Sequence, residues 1–400
     1  MLPEIFQAAR PIIEKLEQHH YEAYFVGGCV RDWLLRRPMG DIDIATSASP
    51  ENIQEIFEKV IPVGIEHGTV IVRWEKESYE VTTFRTDGKY SDKRHPDDVV
   101  FIDNIELDLE RRDFTINALA MDKDGSIIDL FHGREDLQRK LIRTVGNGEQ
   151  RFQEDSLRIA RALRFCSQLG FDIHPETLDA MYKVKDDMEG LAVERLATEM
   201  EKLFAGSHLQ TGIHYLKKTG VYMHLPVIKD YPHIIQRLPS SLRPLLTLGE
   251  VFALFHILEE EIPIETWVKA WKCSNQIKNQ AKALVESYSY YRSHGADEWL
   301  AYRLSRFNQE AFTRLTVSLH PGDQLGMEDF TRINDRLPIQ STREMDIDGK
   351  EIAELFPERK KGPWMKETIQ KVEKKIVMGE LNNSKSDIKE WIKWNPPERD

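Results

Sequence analysis

"GGCVRDWLLRRPMGDIDIATSASP", residues 27–50, sets a glycine pair, an Arg-Asp step and two aspartates alternating with isoleucines close together. Two readings compete. One is a glycine turn leading into a buried strand. The other is a site that holds a polyphosphate at one end and metal ions at the other. Side chains two apart on a strand share a face, with Cβ atoms roughly 7 Å apart. Asp41 and Asp43 would then stand side by side, with Ile42 and Ile44 anchoring the opposite face. Two unpaired carboxylates in a partly buried site repel, and hard divalent cations remove that cost. A bare D-x-D is common, and the chain supplies its own control in "DIDGKEI" at Asp346 and Asp348. That copy has no glycine pair upstream and reads as a turn and helix cap.

The neighbours of the first copy favour the second reading. Gly27 and Gly28 close the short apolar run "AYFVGG" and would leave backbone N–H groups open to a phosphate oxygen at a helix start. The spacing is not the G-x-G-x-x-G of dinucleotide sites. Arg31, one turn along, can add a charge-assisted bond to the same triphosphate. Asp32 reads as a brace for the turn, and Cys29 as a small packed residue with no histidine beside it in sequence. Glu80, in "YEVTTFR", is the candidate third carboxylate on an adjacent strand.

Bulk properties limit the alternatives. The 400 residues suit two to four domains, and 40% apolar with 30% charged residues describe a soluble, globular chain. No apolar run is long enough to span a membrane, and the N-terminal amphipathic pattern lacks a secretory leader. Cys29, Cys166 and Cys273, odd in number and far apart, point to a reducing cytoplasm and away from a zinc site. A balance of 55 basic to 67 acidic residues, net −12, disfavours coating nucleic acid by bulk attraction but leaves room for a local basic groove.

Along the chain, residues 1–145 read as a mixed α/β head. It comprises a leading helix, the strand "AYFVGG", the helix "VRDWLLRR", "DIDIAT" as a strand, and a helix opened by Ser-Pro-Glu in "SPENIQEIFEKV". Two strands follow in "HGTVIVRWEKESYEVTTFR", with Val70, Val72 and Trp74 in one phase and Val81, Thr83 and Arg85 in the other. Helical patterns then take over: a neck over 146–206, a body over 207–292 and a tail over 293–400, with hinges expected at 237–246 and 293–297. The expected fold is therefore α+β, a small α/β head followed by an elongated all-α neck, body and tail.

The strongest pattern in the neck is "EDSLRIARALRF", read as one helix. Asp155, Arg158, Arg161 and Arg164 recur every three residues on one side, while Leu157, Ile159, Ala160, Leu163 and Phe165 take the core. An ionised Asp only accepts hydrogen bonds and an Arg only donates them. Cytosine and adenine each show an amine donor beside a ring-nitrogen acceptor, so an Asp155–Arg158 pair would accept C and A and reject U and G. Arg161 and Arg164 could reach phosphates. In "RRDFTINAL", Phe114, Ile116 and Leu119 would bury, leaving Arg112, Asp113 and Asn117 for triphosphate and ribose, or Asp113 as a helix cap.

Taken together, "GGCVRD…DID", "RRDFTINAL", "DGSIIDLFHGREDL", "EDSLRIARALRF" and "ERLATEMEKLF" resemble the five successive motifs of bacterial-type, class II tRNA nucleotidyltransferases, over roughly residues 20–205. The resemblance implies a nucleotidyltransferase head of the DNA polymerase beta type and template-free addition of C, C and A to the 3′ end of tRNA, with CTP and ATP as substrates and Mg²⁺ as cofactor. It implies metal at Asp41 and Asp43, and nucleotide contacts at Gly28, Arg31, Arg112, Asp155, Arg158, Arg161 and Arg164. Gly27, Glu80, Asp113, Asn117 and Glu154 are further candidates. "RTDGKYSDKRHPDDVVF", 85–101, is similar to the family's flexible loop, so deletion of 90–96 is expected to spare C addition and abolish A addition. Poly(A) polymerases and A-only enzymes share the head motifs and are the rival reading, though the extra basic termini of poly(A) polymerases are absent. The helical part would hold the acceptor and TψC arms through shape and phosphates, with Lys360, Lys361 and Trp364 read either as contacts or as a helix-entry loop. His67, His95 and His132 read as structural or solvent residues. No protein partner is implied, and a homodimer is compatible with the sequence.

Overall fold

The computed structural model describes residues 2–88 and 99–397. They fall into two compact units, Met1–Gln236 and Arg237–Asp400. The first opens with α1 (Glu4–Gln18), whose Phe6, Ala9, Ile12, Ile13 and Leu16 are buried at three- and four-residue spacing. β1 (Ala23–Val26), α2 (Gly28–Leu34), β2 (Asp43–Thr46) and α3 (Pro50–Ile56) follow. Ser49 caps α3 by accepting from the Asn52 N–H, as the Ser-Pro-Glu signal predicts. That helix is shorter than its sequence pattern, because Phe57 turns extended and feeds β3 (Val60–Gly64). β4 (Thr69–Trp74) and β5 (Glu77–Thr83) form a hairpin whose turn places Glu75 in the left-handed region.

These strands join one seven-stranded sheet. Its order is β3-β4-β5-β2-β1-β8-β9, where β8 is Ala120–Met121 and β9 is Ile127–Ile128. β2 and β5 run parallel, while β1 is antiparallel to β2. Register assigns the two faces. Phe25 stands opposite Ile44, Ile44 beside Val81, and Val81 opposite Val70. These four are essentially fully buried, and Phe25 meets Phe6 of α1 edge-on at 4.9 Å. Each such side chain contributes about 1.5–3 kcal/mol. The opposite face therefore carries Asp43 beside Glu80, and Thr69 opposite Thr82.

Two expectations need correction here. "DIDIAT" is not a strand throughout: Asp41 is exposed and precedes it, because β1 ends at Val26 and leaves the chain before Asp43 without a ladder partner. Arg85 does not continue the phase of Val81 and Thr83. Phe84 is buried instead, and β6 (Arg85–Asp87) leaves to pair with β7 (Val99–Phe101) in a separate ribbon. Residues 90–96 and His95 lie outside the described residues.

α4 (Ile105–Glu110), a 3₁₀ turn at Thr115–Asn117, α5 (Gly133–Arg139) and β10 (Leu141–Ile142) complete the head. The chain then becomes helical with α6 (Gly148–Glu154), α7 (Leu157–Leu169), α8 (Pro175–Val184), α9 (Val193–Phe204), α10 (Leu209–Thr219) and α11 (His233–Gln236). One short strand, β11 (Asp172–Ile173), interrupts them and pairs in parallel with β10. The arginine segment is not one helix. Asp155 is extended (φ −144°, ψ 100°) and its carboxylate accepts from the Leu157 N–H, a local bond that competes with helical continuation.

The second unit is helical throughout its described residues: α12 (Leu248–Leu258), α13 (Ile264–Ala270), α14 (Asn275–His294), α15 (Glu298–Arg303), α16 (Arg306–Leu319), α17 (Met327–Asn334), α18 (Gly349–Glu354), α19 (Pro363–Val377) and α20 (Lys385–Trp394). Its last part packs around Ile352, Trp364, Val372, Ile376, Ile388 and Ile392. Trp364 is core, with its indole N–H donated to the Lys360 carbonyl, so it offers no surface contact; Lys360 and Lys361 are exposed.

Candidate active site

A cavity of about 560 Å³ opens on the polar face of the head sheet and is closed on the other side by α7 and α9. Eight arginines and four carboxylates line it, an excess of positive charge inside a chain of net charge −12. Such a balance selects a polyanion. At the cavity's edge Gly27 adopts φ 71° and ψ −128°, and a Cβ there would sit 3.0 Å from Arg112 Nη1. Only glycine lets the chain turn here and lets the guanidinium close over it. α2 starts immediately after, so its first N–H groups lack helical partners.

On the sheet, Asp43 and Glu80 are registered neighbours on β2 and β5. Burial, then the charge of Glu80, pushes the Asp43 carboxyl up to about 6; Asp41 adds to the rise and Arg112 opposes it. A half-buried carboxylate beside another carboxylate is a place where a cation relieves repulsion. Among the described residues no ready-made cluster of three metal-ligating side chains exists. The donor set nonetheless fits a hard divalent ion: oxygen ligands only, one of them desolvated, with room for phosphate oxygens to complete the shell.

The arginines are held from below by buried acids. Asp113 accepts from Arg161 Nε (2.7 Å), Asn117 Nδ2 (3.0 Å) and the Phe114 N–H (2.8 Å). Burial works to raise its carboxyl, but the Arg161 charge and these bonds outweigh it and hold it well below the usual carboxylate range. Arg31 forks onto Asp32 (3.0 and 2.9 Å) and donates to Asn117 Oδ1 (2.7 Å). Glu199 of α9 binds Arg164 Nε at 2.5 Å. The Phe165 ring lies under three guanidiniums, Arg164 at 4.1 Å, Arg31 at 5.1 Å and Arg161 at 5.8 Å. Arg112 binds Asp108 at 3.1 Å, while its buried Nε–H meets no acceptor among the described residues.

The comparisons with known proteins agree with this chemistry. A family model described as "Poly A polymerase head domain" matches residues 23–143. One described as "Probable RNA and SrmB- binding site of polymerase A" matches 170–231, and one described as "tRNA nucleotidyltransferase domain 2 putative" matches 249–392. The CCA-adding enzyme of Oceanobacillus iheyensis is 47% identical over 399 residues, covering all of both chains. That of Staphylococcus saprophyticus is 40% identical over 98% of this chain and 99% of its own. Among solved structures, the Bacillus stearothermophilus CCA-adding enzyme in complex with CTP superposes with a TM-score of 0.88 at 38% identity, over 99% of this chain and 98% of that one. The chain belongs to the CCA-adding enzyme family.

As a family member it is a nucleotidyltransferase, a class that depends on divalent metal, and the poly(A) polymerase alternative is not favoured at this level of full-length identity. Gly27, Gly28, Arg31, Asp43, Glu80, Arg112, Asp113, Asn117, Asp155, Arg158, Arg161 and Arg164 all line the one cavity. Asp41 does not; it lies outside at the strand's entrance. Glu154 also lies outside the lining and reaches Arg158 from below at 2.6 Å. His67 and His132 lie outside it too.

Three details depart from the sequence reading. Asp155 has a partner that the sequence reading lacks, Arg195 of α9 (2.7 Å). Arg158 donates to Glu154, the Arg151 carbonyl and the Arg111 carbonyl, leaving its Nε–H and one Nη2–H outside those bonds. Asp113 is not a helix cap but the buried acid under Arg161. Asp32 braces Arg31 more than the turn. Cys29 is packed as expected, with burial pushing its thiol up to about 11.

Arg195 and Glu199 are the residues sequence reasoning missed. Their spacing of four in "ERLATEM" puts both on one helix face, a signal that a search for carboxylate-arginine partners could have used. The sequence pattern gives Phe165 to the core alone. It is buried, but its ring also forms part of the cavity floor.

Proposed function

We propose that this chain adds C, C and A, without a template, to the 3′ end of tRNA from CTP and ATP, using Mg²⁺ in the cytoplasm and releasing pyrophosphate. The observation that carries the reading is the Asp43–Glu80 pair lying beside a glycine turn in an arginine-rich cavity. Asp43, with Asp41 and Glu80, would hold the metal. When bound, the ions lower the pKa of the attacking hydroxyl and neutralise charge on the leaving group. Gly28 receives a phosphate oxygen on its backbone N–H, Gly27 makes the turn that opens it with its own N–H donated to the Leu119 carbonyl, and Arg112, Arg31 and Arg161 orient the triphosphate. Asp155 and Arg158 read the base edge, accepting an amine donor beside a ring-nitrogen acceptor and leaving unpaired groups against U and G. Arg195 keeps the Asp155 carboxylate aimed. Arg164, Glu199 and Phe165 support the wall.

In this division of labour residues 1–145 catalyse, 146–206 select the base, and 207–292 and 293–400 hold the tRNA arms. Residues 90–96 would change the pocket between C and A addition. Deleting them should spare C incorporation and abolish A; equal loss of both would count against that role.

The test offers tRNA lacking its CCA end with each labelled nucleotide and Mg²⁺, then sequences the product. Ordered addition of two C and one A is expected, with none from UTP or GTP. Repeated addition from ATP alone would make the chain a poly(A) polymerase, and no addition would sink the reading.

A further inference from the structure

The order of strands lays the cavity floor out as a line. The glycine turn follows β1, Asp43 is on β2, Glu80 and Thr82 are on β5, and Thr69 is on β4. Thr82 is two residues beyond Glu80 and so shares its face; Thr69 stands directly opposite, and the two hydroxyls meet at 3.1 Å. Both side chains are half-buried and line the cavity. Neighbouring strands are about 4.8 Å apart, so the pair lies one to two strands past Asp43, on the side away from Gly27 and Arg112.

In-line displacement requires the attacking oxygen and the departing pyrophosphate on opposite sides of phosphorus. With the polyphosphate seated at the glycine-arginine end, the attacking hydroxyl must approach from the β5–β4 side. We propose that Thr69 and Thr82 bind the terminal ribose of the acceptor RNA through its 2′-hydroxyl. This rests on the site reading given above. One threonine O–H is spent on its neighbour, which leaves the pair one donor and several acceptor lone pairs. A 2′-hydroxyl both donates and accepts, and it is the group by which a protein separates RNA from DNA. A cross-strand threonine pair also stabilises a sheet, a role that valine would keep almost unchanged. The 3′-hydroxyl, one carbon away, is thereby carried toward the carboxylates.

The experiment compares CMP addition to tRNA lacking CCA with either a ribose or a 2′-deoxyribose at its terminal residue. It uses the full-length protein and the double variant Thr69→Val/Thr82→Val. The unsubstituted protein should prefer the ribose end by about tenfold in kcat/KM. The variant should lose at least threefold of that preference, through the ribose substrate alone, while CTP still shifts its melting temperature as before. A smaller loss, or no preference in the unsubstituted protein, overturns the proposal. Failure of the unsubstituted protein to add CMP to the ribose end would instead condemn the reading of the whole site.

Discussion

Asp-Ile-Asp occurs twice in this chain, at 41–43 and at 346–348, and the two copies fold to different ends. In the second, Asp348 caps α18, accepting from the Glu351 N–H at 2.8 Å in a reciprocal capping box, and Asp346 accepts from the Lys385 N–H at 2.9 Å. Each carboxylate is used at a helix start, Asp348 at α18 and Asp346 at α20. In the first, Asp43 is placed beside Glu80 from a distant strand, and Asp41 stays exposed at the strand's entrance. Identical residues thus become capping groups or candidate ligands according to whether a helix start or a parallel strand lies beside them.

Substitutions at the two copies should separate these fates. Asp43→Ala is expected to reduce nucleotide addition on the order of a thousandfold or more, measured by single-turnover CMP incorporation. Activity within tenfold of normal would return the first copy to a mere strand entrance. Arg195→Met should come next. Freeing the Asp155 carboxylate would cut the preference for CTP over UTP by about ten- to a hundredfold, read as a kcat/KM ratio.

The raised carboxyl gives a smaller effect with a definite sign. With a folded value of about 6 against 3.8 in the open chain, the folded protein holds the Asp43 proton more tightly. Its stability therefore falls as pH rises through about 4 to 6. In EDTA, Asp43→Asn should stabilise the first unit by roughly 1–3 kcal/mol above pH 6 and by nothing near pH 3, seen in urea melts. Unchanged stability at pH 8 would mean the carboxyl is not strained. Smallest of all, Asp348→Ala should cost about 1 kcal/mol through its lost cap, with nucleotide addition intact.

Much of this was readable from residue order. The glycine turn, the buried isoleucines, the Ser49 cap and the helical second half follow from local pattern, and the cavity gathers most of the residues that the motifs single out. What escaped was tertiary. Nothing local says that Asp155 will pair with Arg195 forty residues on, or that Asp113 will sit beneath Arg161. The break between α6 and α7 was hidden for the opposite reason. Its apolar spacing continues a helix, while a single side-chain bond from Asp155 interrupts it.

The buried acids beneath the arginine wall have a consequence for ionic strength. Mobile ions weaken exposed contacts within a Debye length of about 8–10 Å, yet barely reach guanidiniums already fixed on Asp113 and Glu199. Added KCl should loosen the grip on an RNA backbone well before it dislodges a nucleotide. A crowded electrolyte would then set how long each transcript is retained while leaving the pocket charged for the next one.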